Sequence, residues 1–320
     1  MNSNKKKHLP DSFKKYFFWF LSFIFSLILL FLAFNEISIS EIVFLDGTFS
    51  LLNIFIVLIS FILGFLSHWI RAQRWGQMLI SIYNFRGKIL FESVMIGLTM
   101  NYALPRLGDV IRCSIFSRVN KFSFQSTLGT LILERIIDIL ILGSLIIFSM
   151  LLLPETRVLD NFEAIQFVYL AVLALFFLVL VSAYFKYKFK FLNFLINRIK
   201  KLINGITVYK KINRKGLFFL NSLFIWGLYF SLFYVFSFSY TQDVLFGHLF
   251  IGFVSGAIAM STTNGGIGSY PLFVGETFKF LGYSAEFSYS YAWSVWITQT
   301  IIVLSIGLIS FFIINRKTYN

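Results

Sequence analysis

Long apolar runs separated by short polar segments dominate the chain. A membrane-spanning helix needs about 20 predominantly apolar residues, and six runs qualify: 16–34, 50–70, 126–153, 164–185, 217–240 and 287–314. Two shorter stretches, 89–104 and 244–261, each run into a break rich in Gly, Pro or Asn. They predict re-entrant or broken helices. The expected fold is all-α: a polytopic membrane helix bundle of about six full spans plus two broken segments. The first run follows Lys5, Lys6, Lys7, Lys14 and Lys15 and has no small-residue cleavage site, so it reads as a retained anchor, not a removed signal peptide. The expected organisation is a tail over 1–15, one transmembrane domain over 16–315 and a tail over 316–320.

Composition agrees with this pattern. The 320 residues are 58% hydrophobic and only 13% charged, whereas a soluble chain carries about a quarter charged residues. The 43 Phe residues read as compositional bias, since Phe serves as well as Leu against lipid. Cys113 is the single cysteine, so no internal disulfide forms. His8, His68 and His248 lie far apart, and neither an HExxH nor a CxxC motif is present, so no metal site or other cofactor is expected.

The net charge of +14 changes the picture only through its distribution, which points to a membrane face and not to nucleic acid. Residues 1–15, 71–88, 105–125, 186–216 and the tail hold 25 of the 28 Lys and Arg residues. Loop 35–49 has three acids and no base, and loop 154–163 is acidic. Basic loops stay in the cytoplasm, so both termini are placed there. The pattern holds if 89–104 dips in from the cytoplasm and 244–261 from outside. Loop 186–216 also repeats apolar residues (Phe189, Leu192, Leu195, Ile199, Leu202, Ile203, Ile206) at helical spacing between its lysines. A surface helix on anionic lipid headgroups fits it. So does a solvated basic loop or, less well, a docking site for a partner protein.

The order of elements suggests a repeat. Span 50–70, segment 89–104, a Gly/Pro loop and span 126–153 are echoed by span 217–240, segment 244–261, a Gly loop and span 287–314. With the orientation above, the two series are inverted. Paired broken segments in two halves point to a transporter's midplane site.

Two loops carry candidate chemistry. In Asn101-Tyr-Ala-Leu-Pro105-Arg106-Leu-Gly108-Asp109-Val-Ile-Arg112, Pro105 ends a helix, Gly108 permits a tight turn, and Asp109 is positioned to cap a short helix over 110–118. Arg106 and Arg112 beside that helix start form an anion site, or else a capped interfacial turn with positive-inside arginines. In Ser261-Thr-Thr-Asn264-Gly265-Gly266-Ile-Gly268-Ser-Tyr270-Pro271 the glycines allow close backbone approach, but no Lys follows as in a phosphate loop. Glu134, Arg135 and Asp138 lie deep in span 126–153. Charges at that depth must be paired or wet, and Arg71, Arg74 or Arg112 could supply the partner. Such a network either holds helices together or lines a polar path. His68 is expected at headgroup level, and Trp293 and Trp296 in the interfacial aromatic belt.

Arg71-Ala-Gln-Arg74-Trp75, Asn101…Pro105…Gly108-Asp109…Arg112, Glu134-Arg135-Ile-Ile-Asp138 and Gly265-Gly266-Ile-Gly268 together resemble the transmembrane domain of bacterial lysylphosphatidylglycerol synthase/flippases and their stand-alone homologues. The resemblance covers about residues 15–315. It departs from the family pattern at Asp109, where Glu is usual, at Pro271, where an acid is common, and at Ser261–Asn264, where a Pro commonly precedes the glycine pair; Glu276 is a candidate substitute for the missing acid. It implies a multi-pass protein of the bacterial inner membrane that moves lipid. Arg71, Arg74, Asn101, Arg106, Asp109, Arg112, Glu134, Arg135 and Asp138 would contact a lipid phosphate or headgroup. Pro105, Gly108, Gly265, Gly266 and Gly268 would break helices and gate.

Three functions compete. One is a transporter of an anionic or polyprenyl-linked phospholipid. Another is a membrane enzyme on lipid-linked substrates. The third is an accessory subunit bound through loop 186–216. The synthase members add a soluble aminoacyl-transferring domain, and this chain stops at Asn320, so lysylation is not expected.

Overall fold

The structure is a computed structural model that describes residues 28–29, 31, 51–82, 89–103, 107–152, 212 and 214–319. The candidate spans 16–34 and 164–185, the tail 1–15, the acidic loop 154–163, most of the basic loop 186–216, and Pro105 and Arg106 therefore lie outside the described residues, in whole or for the most part. Every described element is helical: α1 (Leu51–Ile80), α2 (Leu90–Ala103), α3 (Leu107–Asn120), α4 (Phe124–Leu151), α5 (Lys215–Val235), α6 (Phe246–Thr262), α7 (Ser269–Phe280) and α8 (Ala285–Tyr319).

Three described helices are long and apolar enough to cross a bilayer: Leu51–Ile80, Lys215–Ser239 (α5 with a short 3-10 extension) and Ala285–Arg316. At 1.5 Å per residue, α4 reaches about 42 Å, but Glu134, Arg135 and Asp138 interrupt its apolar character. Helices α2 and α3 reach only about 21 Å each, short of a hydrocarbon core about 30 Å thick. They fold back on one another as an antiparallel hairpin. Helices α6 and α7 form a second hairpin, in which Ser255 Oγ donates to the Phe273 carbonyl and Ser269 Oγ to that of Ala259. The described chain thus reads long, short, short, long, twice over. Across the halves α1 lies against α5, α2 against α8, and α6 against α4.

Several expectations change. Span 50–70 continues as helix to Ile80, so Arg71 and Arg74 stand on a helix and not in a cytoplasmic loop. The short helix expected over 110–118 spans Leu107–Asn120, which makes Asp109 its third residue and not its cap. Helix α7 directly follows the Gly loop, where the sequence predicts no further element before span 287–314. Pro271 is tolerated there because the first turn of a helix needs no amide donor from it.

Two apolar cores flank the molecule. One gathers Trp75, Met78, Val94, Phe116 and Leu131 from α1 to α4. The other gathers Phe233, Phe253, Val254, Phe278, Phe287 and Tyr291 from the second half. Several of the Phe residues pack edge to face here, as in Phe233 on Phe253 and Phe230 on Phe250, the arrangement aromatic quadrupoles favour. Trp293 is 1% exposed and so faces protein instead of lipid, and Trp296 is partly buried. His68 is also buried, with its ring 6.3 Å from that of Tyr229.

Candidate functional site

The deep charges converge between α1, α3, α4 and α5. Arg71 and Arg74 stand nearly one turn apart on α1, and Glu134 and Asp138 one turn apart on α4, so each pair presents one face. The Arg74 guanidinium grips Asp138 with two bonds, Nη1 to Oδ1 at 2.7 Å and Nη2 to Oδ2 at 3.2 Å, the bidentate fork that arginine geometry favours. Arg71 donates from Nε to Glu134 Oε1 at 3.1 Å and from Nη1 to the Tyr229 hydroxyl at 3.3 Å. Arg112, from α3, donates from Nη2 to Glu134 Oε2 at 2.6 Å. Glu134, 0% exposed, thus has arginines on both oxygens, with Arg74 Nη2 also 3.4 Å from Oε1.

The surroundings hold these side chains in place. Ser222 of α5 accepts from Arg74 Nη1 at 3.3 Å. The Arg112 guanidinium lies 4.9 Å from the Trp75 ring centre, a cation–π distance. Trp75 is itself fixed by donating from Nε1 to Thr130 Oγ1 at 2.8 Å. Toward the surface, Asp109 Oδ2 accepts from Arg135 at 2.5 Å, and its Oδ1 lies 3.6 Å from Arg112 Nε. Arg135 is half exposed, whereas Arg74 and Arg112 are almost fully buried.

Two features of the cluster are not those of a closed structural network. Three buried arginines face two carboxylates, and the Asp109–Arg135 pair adds one charge of each sign. One positive charge is therefore unmatched among these residues. In addition, among the described residues the buried Nε–H groups of Arg74 and Arg112 have no acceptor within hydrogen-bond distance, Asp109 Oδ1 lying 3.6 Å from the latter. A buried donor without an acceptor is costly, and a surplus of positive charge in a largely buried cluster adds to that cost. An anion with several acceptor oxygens would relieve both.

The other sequence candidates build the hairpin tips. Asn101 does not join the charge cluster; its Oδ1 accepts the Gly108 amide at 3.0 Å and closes the first hairpin. Gly108 is required there, because a Cβ would collide with the Gly97 carbonyl oxygen across the hairpin. Gly265, Gly266 and Gly268 all have φ between 59° and 73°, a region that favours glycine, and they turn the chain between α6 and α7. Glu276 stays apart from the arginines; it accepts from Tyr289 and from Lys279. The spacing of charges had pointed to neither Tyr229 nor Ser222, since both come from a helix without charged residues beyond its first turn.

The match to known families follows the same residues. No curated protein and no solved structure matches the chain. The family described as the lysylphosphatidylglycerol synthase TM region matches residues 19–307. That stretch includes both hairpins and the whole charge cluster. The chain belongs to the lysylphosphatidylglycerol synthase transmembrane-region family.

Proposed function

We propose that this membrane protein moves an anionic or polyprenyl-linked phospholipid across the cytoplasmic membrane, with the arginine–carboxylate cluster receiving the lipid phosphate. The observation that carries this reading is the surplus positive charge of the cluster beside two buried guanidinium N–H groups that have no hydrogen-bond acceptor among the described residues. A phosphate offers negative charge and several acceptors at once, and arginine matches it with parallel bonds. In this reading Arg112 exchanges Glu134 for the phosphate. Glu134 and Asp138 keep Arg71 and Arg74 in position, and the Asp109–Arg135 pair stands at the exposed end. The cytoplasmic placement of both termini rests on the Lys/Arg distribution.

Binding and chemistry are tested together. The purified chain in detergent is titrated with short-chain phosphatidylglycerol or phosphatidylcholine, melting is followed, and the recovered lipid is analysed. A ligand at 100 times its Kd stabilises the folded state by about 2.7 kcal/mol. The anionic lipid is expected to raise the Tm and to be recovered unchanged. Arg112→Ala is expected to abolish the difference between the two lipids. Both lipids carry the phosphodiester, so equal stabilisation refutes selection of an anionic lipid, absence of stabilisation by either refutes the phosphate site, and recovery of a modified headgroup favours an enzyme.

A further inference from the structure

The two hairpin tips meet each other against one stripe of α8. Trp296, Thr300, Val303 and Gly307 recur at helical spacing along that helix. Trp296 donates from Nε1 to the Gly265 carbonyl at 2.9 Å, holding the second hairpin. The next three contacts hold the first hairpin: Thr300 Oγ1 donates to the Tyr102 hydroxyl at 3.4 Å, Thr99 Oγ1 donates to the Val303 carbonyl at 3.1 Å, and Gly307 packs on Thr99 and Met95. Between Trp296 and Thr300 the tips touch directly, because the Tyr102 ring lies flush on Gly265, where a Cβ would strike it.

These contacts differ in kind from the helix packing around them. At their tips the hairpins meet α8 through a few polar contacts, whereas further along, α2 and α7 pack on α8 as extensively as the helices of each hairpin pack on one another. The first hairpin also carries the charge cluster: the stem of Arg112 packs on Gly97, and Tyr102 stands five residues further along the same helix. Arg112 and Tyr102 thus belong to one hairpin, joined through the helix that carries both Gly97 and Tyr102.

We propose that Tyr102, Gly265, Trp296 and Thr300 form the gate of this protein: the Tyr102 ring seated on Gly265 closes the path between the hairpins, and the Trp296 and Thr300 bonds latch it. This rests on the lipid-moving reading for what passes, but the opening of the seam is measurable without lipid movement. Binding of a phosphate at Arg112 shifts the first hairpin and lifts Tyr102 from Gly265. Helix α8 stays fixed as the rail.

The test is a lock. A Cβ at Gly265 would lie 2.7 Å from Tyr102 Cγ, which brings the two Cβ atoms within the roughly 3.5–4.5 Å that a disulfide requires. The full chain carrying Tyr102→Cys and Gly265→Cys is reconstituted in phosphatidylglycerol/phosphatidylcholine vesicles; the native Cys113 is buried. Oxidation is expected to form the bond and stop lipid exchange, and reduction to restore it. Adding Trp296→Phe, which keeps a ring but loses the N–H, is expected to slow bond formation about tenfold, the factor that goes with one lost hydrogen bond. Exchange that continues at the reduced rate with the disulfide intact refutes the gate, as does failure of the bond to form in folded protein. If the reduced protein moves no lipid, the transport reading fails. In that case the gate stands or falls on whether Trp296→Phe slows the bond, and an unchanged rate refutes it.

Discussion

Glu134 is the residue on which the cluster turns. It faces three guanidinium groups from two other helices, and its removal strands all three in a buried site. Breaking a buried ion pair by deleting one partner costs about 3–5 kcal/mol, so Glu134→Ala is expected to destabilise the protein in detergent by about that much, read as a lowered melting temperature. Arg135→Ala removes only a half-exposed partner of Asp109 and is expected to cost less than about 1 kcal/mol. Equal losses from the two would show that burial does not set the energetics. The charged residues of this site were legible in the sequence because a charge deep in an apolar run must find a partner. Which atoms pair was not legible. Asp109 reads as a helix cap until the start of α3 at Leu107 is known, and then its carboxylate is free to face Arg112 and Arg135.

At the scale of the element, the first hairpin depends on backbone proximity. Gly108→Ala would drive a Cβ into the Gly97 carbonyl and the Asn101 amide oxygen. It is expected to cost at least the roughly 1–3 kcal/mol of an overpacked site, read as lost melting cooperativity. Gly143→Ala on α4 meets no described atom within 4 Å and is expected to be neutral or to stabilise by about 0.5–1 kcal/mol, the usual gain of Ala over Gly in a helix. The end of α2 at Ala103 and the turn at 263–268 showed in the sequence as a Pro and a Gly cluster. Helix α7 did not, since twelve residues beginning Ser-Tyr-Pro and holding Glu276 and Lys279 look like a polar loop when no partner helix is in view. The Trp residues of α8 misled for a related reason. Tryptophan near a span end suits an interface, and only the position of Gly265 shows that Trp296 has an internal acceptor.

Across the whole molecule, the twice-repeated order of long and short helices was visible as spacing alone, while the meeting of the tips was not, because it joins residues about 160 apart. Orientation still rests on the basic loops. Three of the arginines counted for the cytoplasmic side, Arg71, Arg74 and Arg112, are in fact helical and buried or nearly so, so the remaining basic residues carry that argument. Lys121→Cys is expected to react with an impermeant thiol reagent from the cytoplasmic face only, and Asp243→Cys from the opposite face only; both positions are exposed. Labelling of position 121 from outside would mean that the first hairpin crosses the membrane instead of returning.

The most direct measurement of the central claim is the rate at which a fluorescent anionic phospholipid changes leaflet in vesicles. Three preparations are compared: the intact chain, folded Arg112→Ala protein and protein-free lipid. The account predicts exchange well above the protein-free rate for the intact chain and a return toward that rate for Arg112→Ala. Exchange by the intact chain no faster than in protein-free vesicles, across several headgroups, would contradict it.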